Sequence, residues 1–158
     1  MPKALVIYHS RSGNTEKMAK KFETVLTGEG IDTVLKKASE VSADELIAYD
    51  GIIIGSPTYY GTMAWEIKKL IDESVRLHGR LKGKVGAAFS SSANTGGGNE
   101  TTVTDIINAM LVHGMIVQGE PSGDHYGPVS VGAPDARAFK CCERTAKNAA
   151  ALLKKLAG

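Results

Sequence analysis

The chain has 158 residues, of which 42% are hydrophobic and 23% charged, and its formal net charge is +2. This length predicts one domain over residues 1–158, with enough apolar residues to fold without disulfides or metal. The near-neutral charge and the lack of basic runs argue against a nucleic-acid partner. No metal site is predicted, because the only cysteines, Cys141 and Cys142, are adjacent and lack a second pair.

Neither a secretory leader nor a membrane span is expected. The first residues are followed by only a short apolar run, whereas a signal peptide carries a longer apolar region. No apolar run approaches the roughly 18 residues of a membrane-spanning helix. The expected location is the cytoplasm, without membrane insertion.

Short apolar runs alternate with helical apolar periods along the chain. Strands are predicted at the runs 5–8, 31–35, 51–55, 85–89 and 115–117. Helices are predicted where apolar residues recur every three or four positions, at 18–26, 46–47, 63–71, 103–111 and 139–156. Continuous apolar strands favour a parallel sheet covered on both faces. We therefore expect an α/β, doubly wound, three-layer sandwich with a five-stranded parallel sheet.

Three loops follow the first, third and fourth predicted strands. In a doubly wound sheet, ligands bind beyond the carboxyl ends of the strands, so these loops should form one composite site. The first loop is rich in hydroxyl groups and leads into a helix; it comprises Ser10, Arg11, Ser12, Gly13, Asn14 and Thr15. Free backbone N–H groups at a helix start favour a phosphate there. A capped helix start with no ligand is the simpler alternative.

Several phosphate-binding or catalytic loops are excluded at this position. The dinucleotide fingerprint needs three spaced glycines and the nucleotide P-loop needs a Gly-Lys-Ser/Thr ending, and both are missing. A low-molecular-weight phosphatase would need a cysteine nucleophile in the loop. A response regulator would need acidic residues, and a serine hydrolase would need a G-x-S-x-G turn. None of these is present.

The pattern that remains, Ser10-x-Ser12-Gly13-x-Thr15, resembles the flavodoxin phosphate loop, Ser/Thr-x-Ser/Thr-Gly-x-Thr. That loop holds the phosphate of flavin mononucleotide (FMN). The resemblance implies a flavodoxin-like fold with strand order 2-1-3-4-5 and FMN as the cofactor.

The other two loops are similar to those of the WrbA-type NAD(P)H:quinone oxidoreductases, which are flavodoxin-like proteins. By this resemblance, the second loop lies along the isoalloxazine ring through Pro57, Thr58, Tyr59, Tyr60 and Gly61. The third loop contacts the ribityl chain and ring through Ser91, Ser92, Ala93, Asn94, Thr95, Gly96 and Gly97. At least one of the two tyrosines is expected to stack on or flank the ring.

Three further residues are candidates for contact with a substrate or a neighbouring subunit. The resemblance assigns His113 to a flavin site from a neighbouring subunit, in a homodimer or homotetramer. His125 and Tyr126 lie in a Gly- and Pro-rich segment, 120–135, that could form a rim or lid. Two segments are shorter than in full-length WrbA proteins, including 77–84, where His78 is the nearest aromatic residue.

The resemblance implies an FMN-dependent reduction of a quinone-like acceptor by NAD(P)H. In such a protein the flavin performs the electron chemistry and the protein orients and tunes it. No side chain is assigned as acid or base. The first alternative is a flavodoxin electron carrier between redox partner proteins, without a small-molecule substrate. The second is a binding module that has lost its flavin.

Overall fold

The computed structural model describes residues 1–157. In chain order the helices and strands are β1 (Lys3–Tyr8), α1 (Asn14–Gly28), β2 (Asp32–Lys37), β3 (Gly51–Tyr59), β4 (Thr62–Met63), α2 (Trp65–Glu73), β5 (Val85–Ser92), α3 (Asn99–Val112), β6 (Ile116–Val117), β7 (Val129–Val131) and α4 (Ala136–Ala157). Short 3-10 helices lie at Ala38–Glu40, Ala43–Ala48 and Ser74–Leu77. Within residues 1–157, none of the helices is long and apolar enough to span a membrane.

The strands form a sheet in the order β2-β1-β3-β5-β6, and the pairs along this path are parallel. This confirms the predicted α/β fold, with the expected order of the five principal strands. Two short strands are additional. β4 pairs antiparallel with the end of β3, and β7 pairs parallel with the end of β5.

The edge of the sheet beside β5 is therefore built from two pieces. β6 pairs with the first two residues of β5, at Val85 and Gly86. β7 pairs with its last three residues, from Ser90 to Ser92. The chain between them, 118–128, leaves the sheet and returns. The apolar run at 115–117 predicts a fifth strand that starts there, but it gives no sign of the second piece. β7 is only three residues long, which is too short to show an apolar pattern of its own.

The connection between β2 and β3 differs from the helix predicted around Leu46 and Ile47. Two 3-10 helices, Ala38–Glu40 and Ala43–Ala48, replace an α-helix there. Each is too short to gain the cooperative hydrogen bonding of an α-helix. Leu46 still packs into the core. The apolar residues of this segment therefore indicated burial correctly, but they did not distinguish a 3-10 helix from an α-helix.

The core consists of two layers, one on each face of the sheet. α1 and α4 pack on one face around Phe22 and Phe89, whose rings stack with centroids 4.8 Å apart. α2 and α3 pack on the other face around residues such as Ile67 and Ile106. The Phe89 ring lies against Gly55, where an added Cβ would come within 2.1 Å of it. This close contact explains why β3 carries glycine at this position.

Candidate functional site

The three loops meet at the carboxyl edge of the sheet and enclose an open cleft of about 330 Å³. Its lining comes from the first loop, the end of β3, the end of β5 and one residue beyond β7: Arg11, Ser12, Asn14, Thr15, Pro57, Thr58, Tyr59, Ser91, Ser92, Ala93 and Gly132. Among the lining residues that the structure describes, Arg11 carries the only formal charge. The cleft thus joins a mainly apolar lining to a single positive charge at the first loop.

The first loop presents backbone donors to this cleft. Gly13 has φ +93°, a left-handed conformation that favours glycine and turns successive N–H groups the same way. Within residues 1–157, the backbone N–H groups of Arg11, Ser12, Asn14 and Thr15 have no hydrogen-bond partner. Together with the guanidinium of Arg11, this donor set suits a phosphate dianion.

Ser10 has a different place from the other hydroxyl residues of this loop. Its Oγ accepts hydrogen bonds from the backbone N–H groups of Gly13, at 3.1 Å, and Glu16, at 3.3 Å. Ser10 therefore shapes the loop from inside, and it is not among the cleft-lining residues. A phosphate role for Ser10 remains a prediction.

The second loop is a tight hairpin between β3 and β4. Tyr60 has φ +48° and Gly61 has φ +82°, the pair of positive values that a two-residue hairpin turn of type I′ requires. Tyr59 faces the cleft, with its ring edge-on to His9 at a centroid distance of 6.3 Å. Tyr60 points into solvent and is fully exposed. The two tyrosines thus differ: Tyr59 lines the cleft, and Tyr60 stands free at its outer side.

The third loop is braced by its own hydrogen bonds and by the second loop. Ser92 Oγ donates to the carbonyl of Asn94 at 3.1 Å and accepts from the Asn99 amide at 3.0 Å. Thr95 and Gly96 are exposed at the tip of the loop and Gly97 is half-buried, and all three lie outside the set that lines the cleft. Thr101 Oγ1 donates to the carbonyl of Gly61 at 2.7 Å, which ties this loop to the hairpin.

His113 lies away from the three loops. It ends α3 just before β6, and β6 pairs with the first residues of β5, at the opposite end of that strand from the cleft. Its Nε2 lies 2.7 Å from Ser74 Oγ, and its buried Nδ1 has no partner among the described residues. Burial, followed by the neighbouring His78, lowers the pKa of His113. Any contact of His113 with a flavin would have to involve another subunit.

His125 and Tyr126 line a separate hollow of about 180 Å³ beside the start of α3, together with Glu100 and Asp124. Both side chains are exposed. The ring nitrogen Nδ1 of His125 lies 2.7 Å from the carbonyl of Glu120. These two residues are thus not brought into the main cleft, and their contact with a substrate remains a prediction.

Sequence reasoning missed several residues that shape the cleft. Gly132 lines it from beyond β7, where the two-part edge of the sheet was not foreseen. Ser90 and Thr102 hold Thr58 through their hydroxyl groups. His9 lies 3.6 Å from the Glu66 carboxylate, behind Tyr59. Signals existed for two of them: Ser90 directly follows the fourth predicted strand, and Gly132 lies in the segment 120–135 that was predicted as a rim or lid.

Comparison with known proteins identifies the family. The flavodoxin domain matches residues 5–111. The chain belongs to the flavodoxin family. A protein named "Flavodoxin" from Aquifex aeolicus is 36% identical over 95% of this chain and 86% of its own length. One named "NAD(P)H dehydrogenase (quinone)" from Archaeoglobus fulgidus is 32% identical over 99% of this chain and 100% of its own length.

A solved structure supports the same assignment for the fold of this flavodoxin-like protein. The WrbA-like protein from Agrobacterium tumefaciens superposes with a TM-score of 0.83 over 98% of this chain and 99% of that chain, at 22% identity. The predicted membership of a flavodoxin-like family near the WrbA type is confirmed. Flavodoxin-like proteins bind FMN, and the free donors beside Arg11 fit the phosphate of that group.

Proposed function

We propose that this flavodoxin-like redox protein binds FMN in the cleft and catalyses electron transfer from NAD(P)H to a quinone-like acceptor. The observation that carries the proposal is the cleft itself: its lining combines the unpaired backbone donors and Arg11 of the first loop with Thr58, Tyr59 and the end of β5. Bound FMN would accept a hydride and release electrons to the acceptor, chemistry that no side chain supplies.

Each part of the cleft then has a distinct role. The N–H groups of 11–15 would hold the phosphate, with the charge of Arg11 adding attraction. Tyr59 would cover part of the isoalloxazine ring with its apolar face. The third loop would supply backbone donors to the ribityl chain and the ring edge. The open side of the cleft leaves access for a donor and an acceptor in turn.

Two functions compete for this site. The reductase is favoured by the relative named "NAD(P)H dehydrogenase (quinone)", which matches over nearly the whole chain. The electron carrier is favoured by the relative named "Flavodoxin". The net charge of +2 argues for the reductase, because an electron carrier that docks on basic partners gains from a strongly acidic surface.

Anaerobic mixing of the FMN-loaded protein with NADH or NADPH separates these functions. The absorbance of oxidised flavin at about 450 nm is followed, and a quinone is then added. Loss of absorbance that returns on adding quinone would establish the reductase. Reduction by dithionite in two one-electron stages, without reaction with NAD(P)H, would establish the carrier. Protein that takes up no FMN would contradict both.

A matched pair of variants tests the cleft as the flavin site. Arg11→Glu reverses a charge beside the unpaired donors, and Lys17→Glu makes the same change on the exposed side of α1. We expect Arg11→Glu to weaken FMN binding by about tenfold or more, and Lys17→Glu to change it much less. Equal losses in the two variants would contradict a phosphate site at this loop.

A further inference from the structure

Two adjacent serines at the end of β5 connect the sheet to different loops. Ser90 is 0% exposed and Ser91 is 5% exposed. Because successive side chains of a strand point to opposite faces of the sheet, the two hydroxyl groups enter different layers. Ser91 faces the layer of α1, and Ser90 faces the layer of α3, as their hydrogen-bond partners show.

Ser91 supports the first loop. Its Oγ lies 2.9 Å from Thr15 Oγ1, and Thr15 is only 1% exposed at the start of α1. This is a buried hydroxyl pair, and losing one member leaves the other without its partner. The unpaired N–H groups of the loop belong to the same few residues. The position of these donors therefore depends on a hydroxyl group that comes from β5.

Ser90 supports the second and third loops. Its Oγ lies 2.9 Å from Thr58 Oγ1 in the second loop. Thr102 Oγ1 lies 3.3 Å from Thr58 Oγ1 and 2.8 Å from the carbonyl of Gly98, at the end of the third loop. Thr102 is fully buried. Ser90 thus begins a chain of hydroxyl groups that holds two loops to each other.

We propose that Ser91 and Ser90 are positioning residues that divide a flavin nucleotide between them, Ser91 for its phosphate half and Ser90 for its ring half. The proposal rests on the proposed function, since it assumes that the cleft takes FMN. It predicts that the effects of losing the two hydroxyl groups can be distinguished by comparing flavins with and without a phosphate. Because Ser91 also lines the cleft, loss of its hydroxyl should weaken the binding of FMN more than that of a flavin without a phosphate, whereas loss of the Ser90 hydroxyl should weaken the binding of both alike.

The test compares FMN with riboflavin, which lacks the phosphate. Dissociation constants of both are measured by flavin fluorescence for the wild type, Ser91→Ala and Ser90→Ala. Ser91→Ala should raise the Kd of FMN by a factor about fivefold larger than the factor by which it raises the Kd of riboflavin. Ser90→Ala should raise both constants by a similar factor. Ser74→Ala removes an equally buried hydroxyl at the other end of the molecule and is the control.

Variants of Thr15 and Thr58, the hydrogen-bond partners of the two serines, allow the test to be made even if a serine variant fails to fold. If a serine variant does not fold by circular dichroism, Thr15→Val and Thr58→Val remove the same two hydrogen bonds from the loop side. Thr58→Val and Ser90→Ala should also be non-additive when combined, because both remove one interaction.

Three results would overturn the proposal: an unchanged ratio of the two constants in Ser91→Ala, a changed ratio in Ser90→Ala, or no effect of either. A wild type that binds neither flavin would instead contradict the proposed function. The two failures are therefore distinguishable in one set of titrations.

Discussion

At the scale of single residues, two glycines allow the second loop to lie close against the end of the third loop. Gly98 has φ +101°, and a Cβ added there would lie 2.7 Å from the Cα of Gly61. Both the backbone conformation and the space thus require glycine at position 98. Gly98 thus serves to bring the two loops together.

Gly98→Ala should therefore lower the free energy of unfolding and loosen the cleft. Gly79→Ala is the control, because Gly79 has a similar φ of +84° and no atom within 4 Å of an added Cβ. The difference between the two variants isolates the steric clash, about 1–3 kcal/mol, and is measured by urea unfolding. Flavin affinity should fall only in Gly98→Ala. Equal destabilisation would show that the loops can separate without cost.

A second feature of a single residue is the lowered pKa of His113, whose ring is partly buried at the end of α3. Its pKa lies below the ordinary value because burial, and then His78, disfavour the charged form. The unfolded chain therefore binds a proton more readily at this position. The corresponding stability is present above the ordinary histidine pKa of about 6.5 and is lost as the pH falls through the lower pKa of the folded state.

His113→Gln should remove part of this pH dependence. Urea midpoints between about pH 7.5 and pH 5.5 should fall less steeply in the variant than in the wild type. His125→Gln changes an exposed histidine and serves as the comparison. A wild-type midpoint that rises towards lower pH, or an identical slope in His113→Gln, would contradict the assignment.

At the scale of elements, the segment 118–128 between β6 and β7 is held down by α4. Arg137 donates to Asp124 at 2.9 Å and to the carbonyl of Val129 at 2.6 Å. Arg144 donates to the carbonyl of Ser122. Gly127 packs so closely on the sheet that an added Cβ would lie 2.1 Å from the carbonyl oxygen of Ala88. The segment predicted as a rim or lid is thus clamped from one side by a helix.

Arg137→Ala should release this clamp. Amide hydrogen exchange in 120–128 should become faster by about tenfold or more, because the two charge-assisted hydrogen bonds of the Arg137 guanidinium are lost. Lys147→Ala removes a similarly exposed cation of α4 that pairs only within the helix, with Glu143, and should leave the exchange unchanged. Faster exchange in both variants would mean that α4 as a whole had loosened.

At the scale of the whole molecule, the two-layered core shields the chain's thiols. Cys142 is 0% exposed between α4 and the sheet, and burial raises its pKa to about 12. Because the thiolate is the reactive form, alkylation should require opening of that layer. The thiol therefore reports on unfolding of the sheet and helices together, at a distance from the cleft.

A protein with Cys141→Ala, which leaves Cys142 as its only thiol, should label with iodoacetamide only as fast as the core opens. Free FMN at about 100 times its Kd should slow the labelling about a hundredfold, because binding stabilises only the folded state. The rates are measured by mass spectrometry. Arg11→Glu is labelled at the same FMN concentration as the protein without that substitution, where its weaker binding should give less protection. Equal protection at that concentration would contradict coupling through the cleft.

Much of the fold could be predicted because its signals are local. Apolar runs such as 51–55 and 85–89 mark strands buried on both faces, and their alternation with helices predicts the parallel sheet. The hydroxyl-rich loop at 10–15 likewise carries its own pattern, a strand, a turn and a helix start. The split edge at β6 and β7 was missed because β7 is three residues long, below what periodicity can register.

By itself, the sequence determined the α/β class and the three loops that meet at one edge, because each depends on periodicity or on a contiguous motif. The order of the principal strands followed from the resemblance of the first loop to that of flavodoxins. Only the tertiary structure decided how those loops are held: Ser91 against Thr15, Ser90 against Thr58, and Gly98 against Gly61. Those partners are tens of residues apart in the chain. No local pattern encodes such a pairing, because it arises only when parallel strands bring their carboxyl ends to the same edge.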